Sequence, residues 1–378
     1  MDPLIQLLSD LVSVNSINPS LVLGAPGEAA AGEVARAAMV RAGLDVVVTE
    51  VQPGRPNVVG VIEGRESGPS VMLCGHLDTV GVEGMADPFA PRIDGNRLYG
   101  RGAQDMKGGV AAMIGAAAML APSWTKGRLI VAAVMDEEYE SLGAEALVRD
   151  WKADFAIVTE PTDLTLAIGH KGFAWLDVMT DGRAAHGSRP REGRDAILRM
   201  GRVLARLEAL DRVLQSRPPA GVQGVASLHA SIITGGRELS SYPDRCALQM
   251  ERRTVNGEDD GTVVGEVEAI LAALKQEDAE FSGRVALRTS RPPYAIDRSH
   301  QLPRTLGDVL AGRGLSAESG GMTFWTDAAV LAGAGIPSVL FGPGGAGLHS
   351  IVEYVNVDDV VTCRDVLAET VRQLVHGR

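Results

Sequence analysis

Helical and extended hydrophobic patterns alternate along the first 170 residues of the chain. Apolar side chains recur at helical spacing over residues 2–14, and an alanine-rich segment over residues 27–42 ends at Gly43, a typical helix stop. Apolar runs of strand length lie at residues 44–48, 57–62, 71–74, 129–135 and 155–158. Apolar strands that alternate with helices predict an α/β fold whose central sheet is mixed and mainly parallel.

The pattern changes near Gly172. Residues 173–180 predict a strand and residues 195–214 an amphipathic helix, while residues 245–255 alternate apolar and polar side chains like a half-exposed strand. Helix and strand patterns of the first kind resume after the turn-rich segment 291–294. We therefore predict a discontinuous α/β domain, residues 1–171 and 291–378, with an inserted α+β domain, residues 172–290.

Composition narrows the class of protein. The 378 residues carry a formal net charge of −12, and aromatic side chains make up only 4% of them. This balance argues against nucleic-acid binding, which needs basic residues and stacking rings. No apolar run approaches the ~20 residues that span a bilayer, and the N-terminus is acidic where a secretory signal is basic. With three cysteines, far apart, the sequence predicts a cytoplasmic protein without nucleic-acid or membrane partners.

The first chemical signal is the segment GHLDT, directly after the apolar run 71–74. In an extended segment, residues two apart project to the same face, so His76 and Asp78 can touch. A metal-binding imidazole usually donates its other N–H to a carboxylate or carbonyl, which this spacing permits. A polar strand end without a metal is the alternative.

Further carboxylates stand at the ends of apolar segments. Asp105 opens a helix of small residues predicted over residues 106–120, where helix capping is the alternative. Glu137 and Glu138 follow the strand 129–135, where a surface acidic turn is the alternative. Acidic side chains at a strand's carboxyl end repel one another unless a cation lies among them.

Two more candidates follow apolar strands. Glu160 comes after residues 155–158, and His349 comes after the run 337–341. Because ligands usually bind outside the carboxyl ends of parallel strands, these residues can converge there with the others. Two histidines and three carboxylates suit a pair of divalent metals, which hold a hydroxide and polarise a carbonyl oxygen. A further carboxylate must take the proton of that water, and Glu137 is the candidate.

Five motifs follow one another along the chain: GHLDTV (75–80), GRGAQDMKGG (100–109), DEE (136–138), TEPT (159–162) and FGPGGAGLHS…E (341–353). Their order and spacing resemble the co-catalytic zinc amidohydrolase and peptidase family, which includes acetylornithine deacetylase, succinyl-diaminopimelate desuccinylase, aminoacylase and the glutamate carboxypeptidases. The resemblance covers nearly the whole chain. It implies a zinc-peptidase-like catalytic domain, residues 1–171 and 291–378, with two Zn²⁺ per subunit; Co²⁺ and Mn²⁺ accept similar ligands.

The resemblance also implies a role for each residue of the motifs. Asp105 would bridge both metals, and a cis peptide bond would follow it, before Met106. Glu137 would be the general base, and Asp78 would orient His76. The other ligands would be His76 and Glu160 on one zinc, and Glu138 and His349 on the other.

The inserted block, residues 172–290, resembles the lid and dimerisation domain of the same family. His186, in the segment AHGSRP, would reach the partner subunit's active site and stabilise the oxyanion. Arg253 would bind a substrate carboxylate, for which a planar guanidinium is suited, and a surface strand residue is the alternative. Ser240 stands where the family often has asparagine, which leaves a substrate contact there open. The resemblance implies a homodimer through this domain.

These inferences predict a metal-dependent hydrolase that cleaves the amide bond of an N-acyl amino acid, as a deacetylase, desuccinylase or aminoacylase does. A di- or tripeptidase or glutamate carboxypeptidase on the same site is the alternative, because the motifs do not define the pockets that select the substrate. A non-catalytic binding protein on this fold is a remote alternative, since all five ligands, Asp78 and Glu137 are present.

Overall fold

The computed structural model describes residues 2–377. The described residues form nine α-helices: α1 Pro3–Val12, α2 Ala29–Arg41, α3 Gly108–Leu120, α4 Leu142–Asp150, α5 Ala196–Gln215, α6 Asp260–Glu277, α7 Gln301–Gly312, α8 Ala328–Gly333 and α9 Val357–His376. They also form seventeen strands: β1 Asp45–Gln52, β2 Arg55–Glu63, β3 Glu66–His76, β4 Arg92–Asp94, β5 Arg97–Tyr99, β6 Lys126–Val134, β7 Phe155–Val158, β8 Leu166–His170, β9 Gly172–Asp181, β10 Ser227–Gly235, β11 Arg245–Thr254, β12 Gly283–Arg291, β13 Tyr294–Ala295, β14 Ser319–Met322, β15 Ser338–Leu340, β16 Gly345–Ala346 and β17 Tyr354–Asn356.

The chain divides into two units. The first contains Met1–Ile168, Ile296–Gly320 and Thr326–Arg378, and the second contains Gly169–Ala295 and Gly321–Trp325. The assignment of a catalytic role to residues 1–171 and 291–378, and of a lid role to residues 172–290, stays a prediction.

A mixed sheet forms the centre of the first unit, with the strand order β1-β2-β6-β3-β7-β15-β8. The neighbours β6, β3, β7 and β15 pair in parallel, whereas β1–β2, β2–β6 and β15–β8 are antiparallel. The strands β6, β3 and β7 are buried over most of their length, as their continuous apolar runs predict. This architecture confirms the predicted α/β class with a central mixed sheet, in which the parallel pairing along this strand order is limited to β6, β3, β7 and β15.

The parallel strands bring their carboxyl ends to one edge of this sheet. β3 ends at His76, β6 ends two residues before Asp136, and β7 ends two residues before Glu160. The sheet therefore gathers three of the predicted polar segments at the place where open α/β sheets bind ligands.

A second, small sheet of the first unit has the strand order β16-β17-β5-β4. Tyr354 of β17 lies opposite Tyr99 of β5, so the residues that flank these strands, Glu353 and Gly100, also meet. The sequence did not predict this sheet, because strands of two or three residues carry no readable periodicity.

The second unit contains an antiparallel sheet with the order β10-β11-β9-β12. Helices α5 and α6 pack against it and bury a core of apolar side chains around Leu176, Leu248 and Phe281. Strand β9 alternates buried and half-buried positions from Gly172 to Asp181, because only one of its faces is covered by this core.

All three cysteines are free and buried. Cys74 lies inside β3, as expected of a core residue. Within residues 2–377, each helix is too short or too polar to cross a membrane. The cytoplasmic location stays a prediction.

Candidate metal centre

Two histidines and three carboxylates of the first unit converge in two groups. Within each group, one ligand atom from each residue lies within 4.8 Å of the others. The groups are His76, Asp105 and Glu160, and Asp105, Glu138 and His349. Among residues 2–377, Asp105 alone belongs to both groups.

His76, the last residue of β3, is buried, and its two ring nitrogens face different partners. Nε2 lies 3.1 Å from Oδ1 of Asp105. Nδ1 lies 3.0 Å from the carbonyl oxygen of Asp78 and 3.5 Å from its Oδ1. If Nδ1–H donates to Asp78, the lone pair of Nε2 is left for a metal ion.

Asp78 also organises the acidic turn after β6. Its carboxylate accepts the backbone N–H groups of Glu137 and Glu138, both at 3.1 Å, and the amide of Asn18 at 2.8 Å. Burial raises the pKa of Asp78, but its hydrogen bonds to His76 and Asn18 and the charge of His76 lower the pKa by more. The net shift therefore lowers the pKa and favours the carboxylate. One buried anion thus fixes a histidine and two glutamates.

Asp105 lies in the turn Ala103–Lys107 that precedes α3, and its own backbone is not helical, with φ −111° and ψ 97°. Its peptide bond to Met106 is cis, as the resemblance implied. The capping alternative fails, because Lys107 occupies the N-cap of α3 and the Asp105 carboxylate faces His76 and His349.

Glu353 holds this turn in place, a role that the sequence did not reveal. It is 1% exposed and lies between the small sheet and the turn. Its carboxylate accepts hydrogen bonds at 2.7–3.1 Å from the side chain of Arg101 and the backbone N–H groups of Gly102, Gln104 and Asp105.

His349 reaches the second group from an exposed loop between β16 and β17, with its backbone in the left-handed region at φ 56°. Its Nε2 lies 3.1 Å from Oε2 of Glu138 and 3.4 Å from Oδ2 of Asp105. Hydrogen bonds to Asp105 and Glu138 raise the pKa of His349 to about 10. A metal ion that binds here must displace this proton, since only neutral imidazole is a ligand.

Burial and neighbouring charges disfavour the ionised forms of two glutamates in this cluster. Burial, followed by the charge of Asp105, raises the pKa of Glu138 to about 7. Burial also raises the pKa of Glu160 well above its usual value, and its Oε1 is buried without a hydrogen-bond partner in the described part of the chain. An orphaned carboxylate oxygen among acids and imidazoles is the donor set that divalent cations bind, so the residues present fit a pair of such ions.

Glu137 stands beside both groups without belonging to either. Its Oε2 lies 3.9 Å from Nε2 of His76. Burial, together with the nearby charge of Glu160, raises its pKa well above the usual value. A carboxyl group with a raised pKa beside a candidate metal centre is suited to proton transfer.

Asp136, the first acid of the DEE motif, turns away from the cluster. At φ 70° its carboxylate accepts from Arg55 at 2.8 Å and from Asn18 at 3.0 Å. Arg55 also binds Glu28 through two hydrogen bonds of 2.7 and 2.8 Å. This buried network supports the turn that carries Glu137, and no local pattern indicated Asn18, Arg55 or Glu28.

Asp327 is buried at the start of α8. Its side chain makes no capping bond to α8. Its charge raises the pKa of Glu160 and of Glu137, which places it in the electrostatic environment of the cluster.

The second unit brings His186 and Ser240 together. An antiparallel bridge joins His186 to Ser241, and the N–H of Gly187 donates to the carbonyl of Ser240 at 2.7 Å. The Nδ1 of His186 accepts the backbone N–H of Ser188 at 3.2 Å, so a neutral ring carries its proton on Nε2. Both His186 and Ser240 are exposed.

Arg253 lies on β11, also in the second unit, with its side chain 30% exposed. Its Nε donates to Oε1 of Glu251 at 2.6 Å, and its guanidinium carbon lies 5.6 Å from the ring centre of Phe173. The roles of Arg253, Ser240 and His186 stay predictions.

Two glycines fix the segment that carries Glu160. A Cβ at Gly109, at the start of α3, would lie 2.0 Å from the carbonyl oxygen of Thr159. A Cβ at Gly342 would lie 2.2 Å from the carbonyl oxygen of Glu160. Helix and loop can approach the Glu160 backbone this closely only because both positions lack a side chain.

We expect Gly109→Ala to lower the free energy of unfolding by about 1–3 kcal/mol, because the new methyl group forces Thr159 away. The same shift displaces Glu160 and weakens metal binding. Chemical unfolding and metal titration measure both effects. Gly307→Ala in α7 is the control, because its Cβ would meet only a backbone oxygen 4.0 Å away. Equal stability and equal metal affinity of the two variants would contradict this account of the close approach.

Comparison with known proteins places the chain among amide hydrolases. Residues 72–373 match peptidase family M20/M25/M40. The acetylornithine deacetylase of Myxococcus xanthus is 33% identical and aligns with 85% of each chain. The N-formyl-4-amino-5-aminomethyl-2-methylpyrimidine deformylase of Bacillus subtilis is 27% identical, over 86% of this chain and 85% of the deformylase.

Solved structures share the fold over nearly the whole length. A tripeptidase from Staphylococcus aureus has a TM-score of 0.81 at 21% identity, covering 98% of this chain and 97% of its own. A dinuclear metal-binding peptidase of the M20 family from Bacillus subtilis has a TM-score of 0.76 at 16% identity, covering 99% of this chain and 98% of its own. The family match and the identity to the deacetylase confirm the resemblance seen in the motifs. The chain belongs to peptidase family M20/M25/M40 and is a hydrolytic enzyme that acts on amide bonds.

Proposed function

We propose that this enzyme removes the acyl group from an N-acyl amino acid by hydrolysis of its amide bond. The observation that carries the proposal is the pair of ligand groups that share Asp105, with Glu137 beside them. Similarity to an acetylornithine deacetylase and to a deformylase, both named for removal of an acyl group from nitrogen, supports a deacylase. The tripeptidase shares only 21% identity and supports the fold rather than a peptidase activity.

The proposed metal ligands are the five residues of the two groups. Two divalent ions, Zn²⁺ or alternatively Co²⁺ or Mn²⁺, would lower the pKa of a water molecule and polarise the substrate carbonyl. Asp105 would bind both ions. His76 and Glu160 would complete one site, and Glu138 and His349 the other. Asp78 would hold His76 in the tautomer whose Nε2 is free.

Glu137 would perform the proton transfers. Its carboxylate would take a proton from the attacking water and later deliver it to the leaving nitrogen, so that the amine departs neutral. A site with two cations nearby would favour the ionised form of Glu137 at the start of the cycle.

We propose that two residues of the second unit act on the substrate. The Nε2–H of His186 would donate to the oxyanion of the tetrahedral intermediate. Arg253 would bind the free carboxylate of the amino acid. A homodimer formed through residues 172–290, in which His186 serves the partner's active site, is part of this proposal.

A substrate panel tests the proposed activity. Purified enzyme loaded separately with Zn²⁺, Co²⁺ and Mn²⁺ is given N-acetyl, N-formyl and N-succinyl amino acids and matched dipeptides, and release of free amine is measured. We expect one or more N-acyl amino acids to have the highest kcat/KM. Hydrolysis of dipeptides alone would contradict the deacylase and favour the peptidase alternative.

A further inference from the structure

Two adjacent arginines of β11 differ in how many of their guanidinium nitrogens are hydrogen-bonded within the protein. The side chain of Arg252 is 1% exposed, and all its nitrogens bond to protein oxygens, chiefly the carboxylates of Glu258 and Glu266. Every nitrogen of this guanidinium is therefore already hydrogen-bonded within the fold. It has no capacity left for a ligand.

Arg253 keeps its terminal nitrogens available. Its Nε donates to Glu251, whereas within residues 2–377 Nη1 and Nη2 make no hydrogen bond. The guanidinium plane is held near the face of Phe173, the cross-strand partner of Arg253 on β9. An arginine fixed through Nε and against a ring presents its two Nη groups as a fork, the geometry that a carboxylate accepts.

Glu251, the residue that holds Nε, is itself fixed from the other side. Its second oxygen accepts the indole N–H of Trp175 at 2.8 Å. Trp175 is its cross-strand partner on β9. Glu251 is 9% exposed, so neither bond competes freely with water.

The local charge stays favourable for an anion. Lys171 is a second cation near Arg253. Burial first, and then the positive charge of Arg253, lower the pKa of Lys171. Glu251 balances one of these two positive charges. His229, whose Nδ1 lies 4.0 Å from Glu251, adds positive charge only when protonated.

We propose that Glu251 is a positioning residue for substrate recognition, which holds Arg253 through Nε so that Nη1 and Nη2 receive the substrate carboxylate, while Trp175 holds Glu251. This inference rests on the proposed function, in which Arg253 binds that carboxylate. Glutamate at this position would otherwise weaken an anion site, since its own charge repels the ligand.

The test compares the best N-acyl amino acid of the panel with its carboxamide in steady-state kinetics. Wild-type enzyme should prefer the carboxylate, and Arg253→Met should lose that preference. If the wild type shows no preference, the proposed role of Arg253 is wrong, and the positioning role falls with it.

Glu251→Gln then distinguishes a positioning role of Glu251 from an effect of its negative charge alone. Glutamine has one acceptor oxygen instead of two, so its donor NH2 group must face either the indole N–H of Trp175 or the Nε–H of Arg253. We expect KM for the carboxylate to rise about tenfold with kcat little changed, and the carboxamide to be unaffected. Trp175→Phe, which removes the indole N–H and keeps an aromatic ring, should raise KM about threefold.

A fall in KM for the carboxylate, instead of the expected rise, would overturn the proposal. If Glu251 only weakens the positive charge, its neutralisation lowers KM for the carboxylate. If Glu251 only stabilises the fold, both substrates suffer equally and the thermal unfolding temperature falls. Glu277→Gln, which breaks the exposed ion pair with Arg206 in the same unit, is the matched control and should change neither KM.

Discussion

Glu137→Gln is expected to lower kcat about 10²–10⁴-fold while the enzyme binds its metals as the wild type does. Glutamine has the shape of glutamate, so the buried turn after β6 keeps its bonds to Asp78, which involve the backbone of residue 137. The amide cannot accept a proton from water or return one to the leaving nitrogen. Because Glu137 belongs to neither ligand group, its loss should spare metal affinity.

The measurement pairs turnover with metal analysis of the same preparation. Glu83→Gln, an exposed glutamate in the loop after Asp78, is the control and should keep wild-type turnover. Near-normal kcat in Glu137→Gln would show that another group is the base. Loss of metal from Glu137→Gln would show instead that Glu137 is a ligand.

Asp105→Asn is expected to abolish detectable turnover by emptying both metal sites. Asp105 is shared by the two groups, and its carboxylate lies 3.1 Å from Nε2 of His76 and 3.4 Å from Nε2 of His349. Asparagine keeps the volume and the backbone N–H that Glu353 accepts, so the turn should persist. A neutral amide cannot bridge two cations through two anionic oxygens.

His349→Ala provides the comparison for this variant. It removes a ligand from one group only, and its side chain is 54% exposed, so the fold should tolerate the change. We expect His349→Ala to retain one tightly bound ion and Asp105→Asn to retain none. Equal metal content in the two variants would contradict the bridging role of Asp105.

The candidate ligands could be predicted because each stands in a short motif beside an apolar segment. His76 ends a buried strand, and Glu160 follows another after two residues, so the parallel order of β3 and β7 makes their approach a consequence of the fold. The chemistry of these ligands then limited the possible functions of the site, because carboxylates buried close together are stabilised by a bound cation.

The supporting network could not be predicted, because it depends on contacts between distant parts of the chain. Asn18 binds Asp136 across 118 residues, and Glu353 binds the N–H of Gly102 across 251 residues. Asn18 carries no local pattern, and Glu353 ends the fifth motif without a role that the motif itself indicates; the function of each becomes clear only when the sheet edge is assembled. The sequence also grouped Asp136 with its two neighbours, whereas its left-handed backbone directs it to Arg55.

The number of metal ions that the wild-type enzyme binds and needs decides whether the two ligand groups form a dinuclear centre. Metal-free enzyme is titrated with Zn²⁺ while bound ions and hydrolysis of the best N-acyl amino acid are followed together. We expect two ions per chain and no turnover before metal is added. Full turnover in the presence of a strong chelator, or the absence of any bound ion at saturating Zn²⁺, would contradict it.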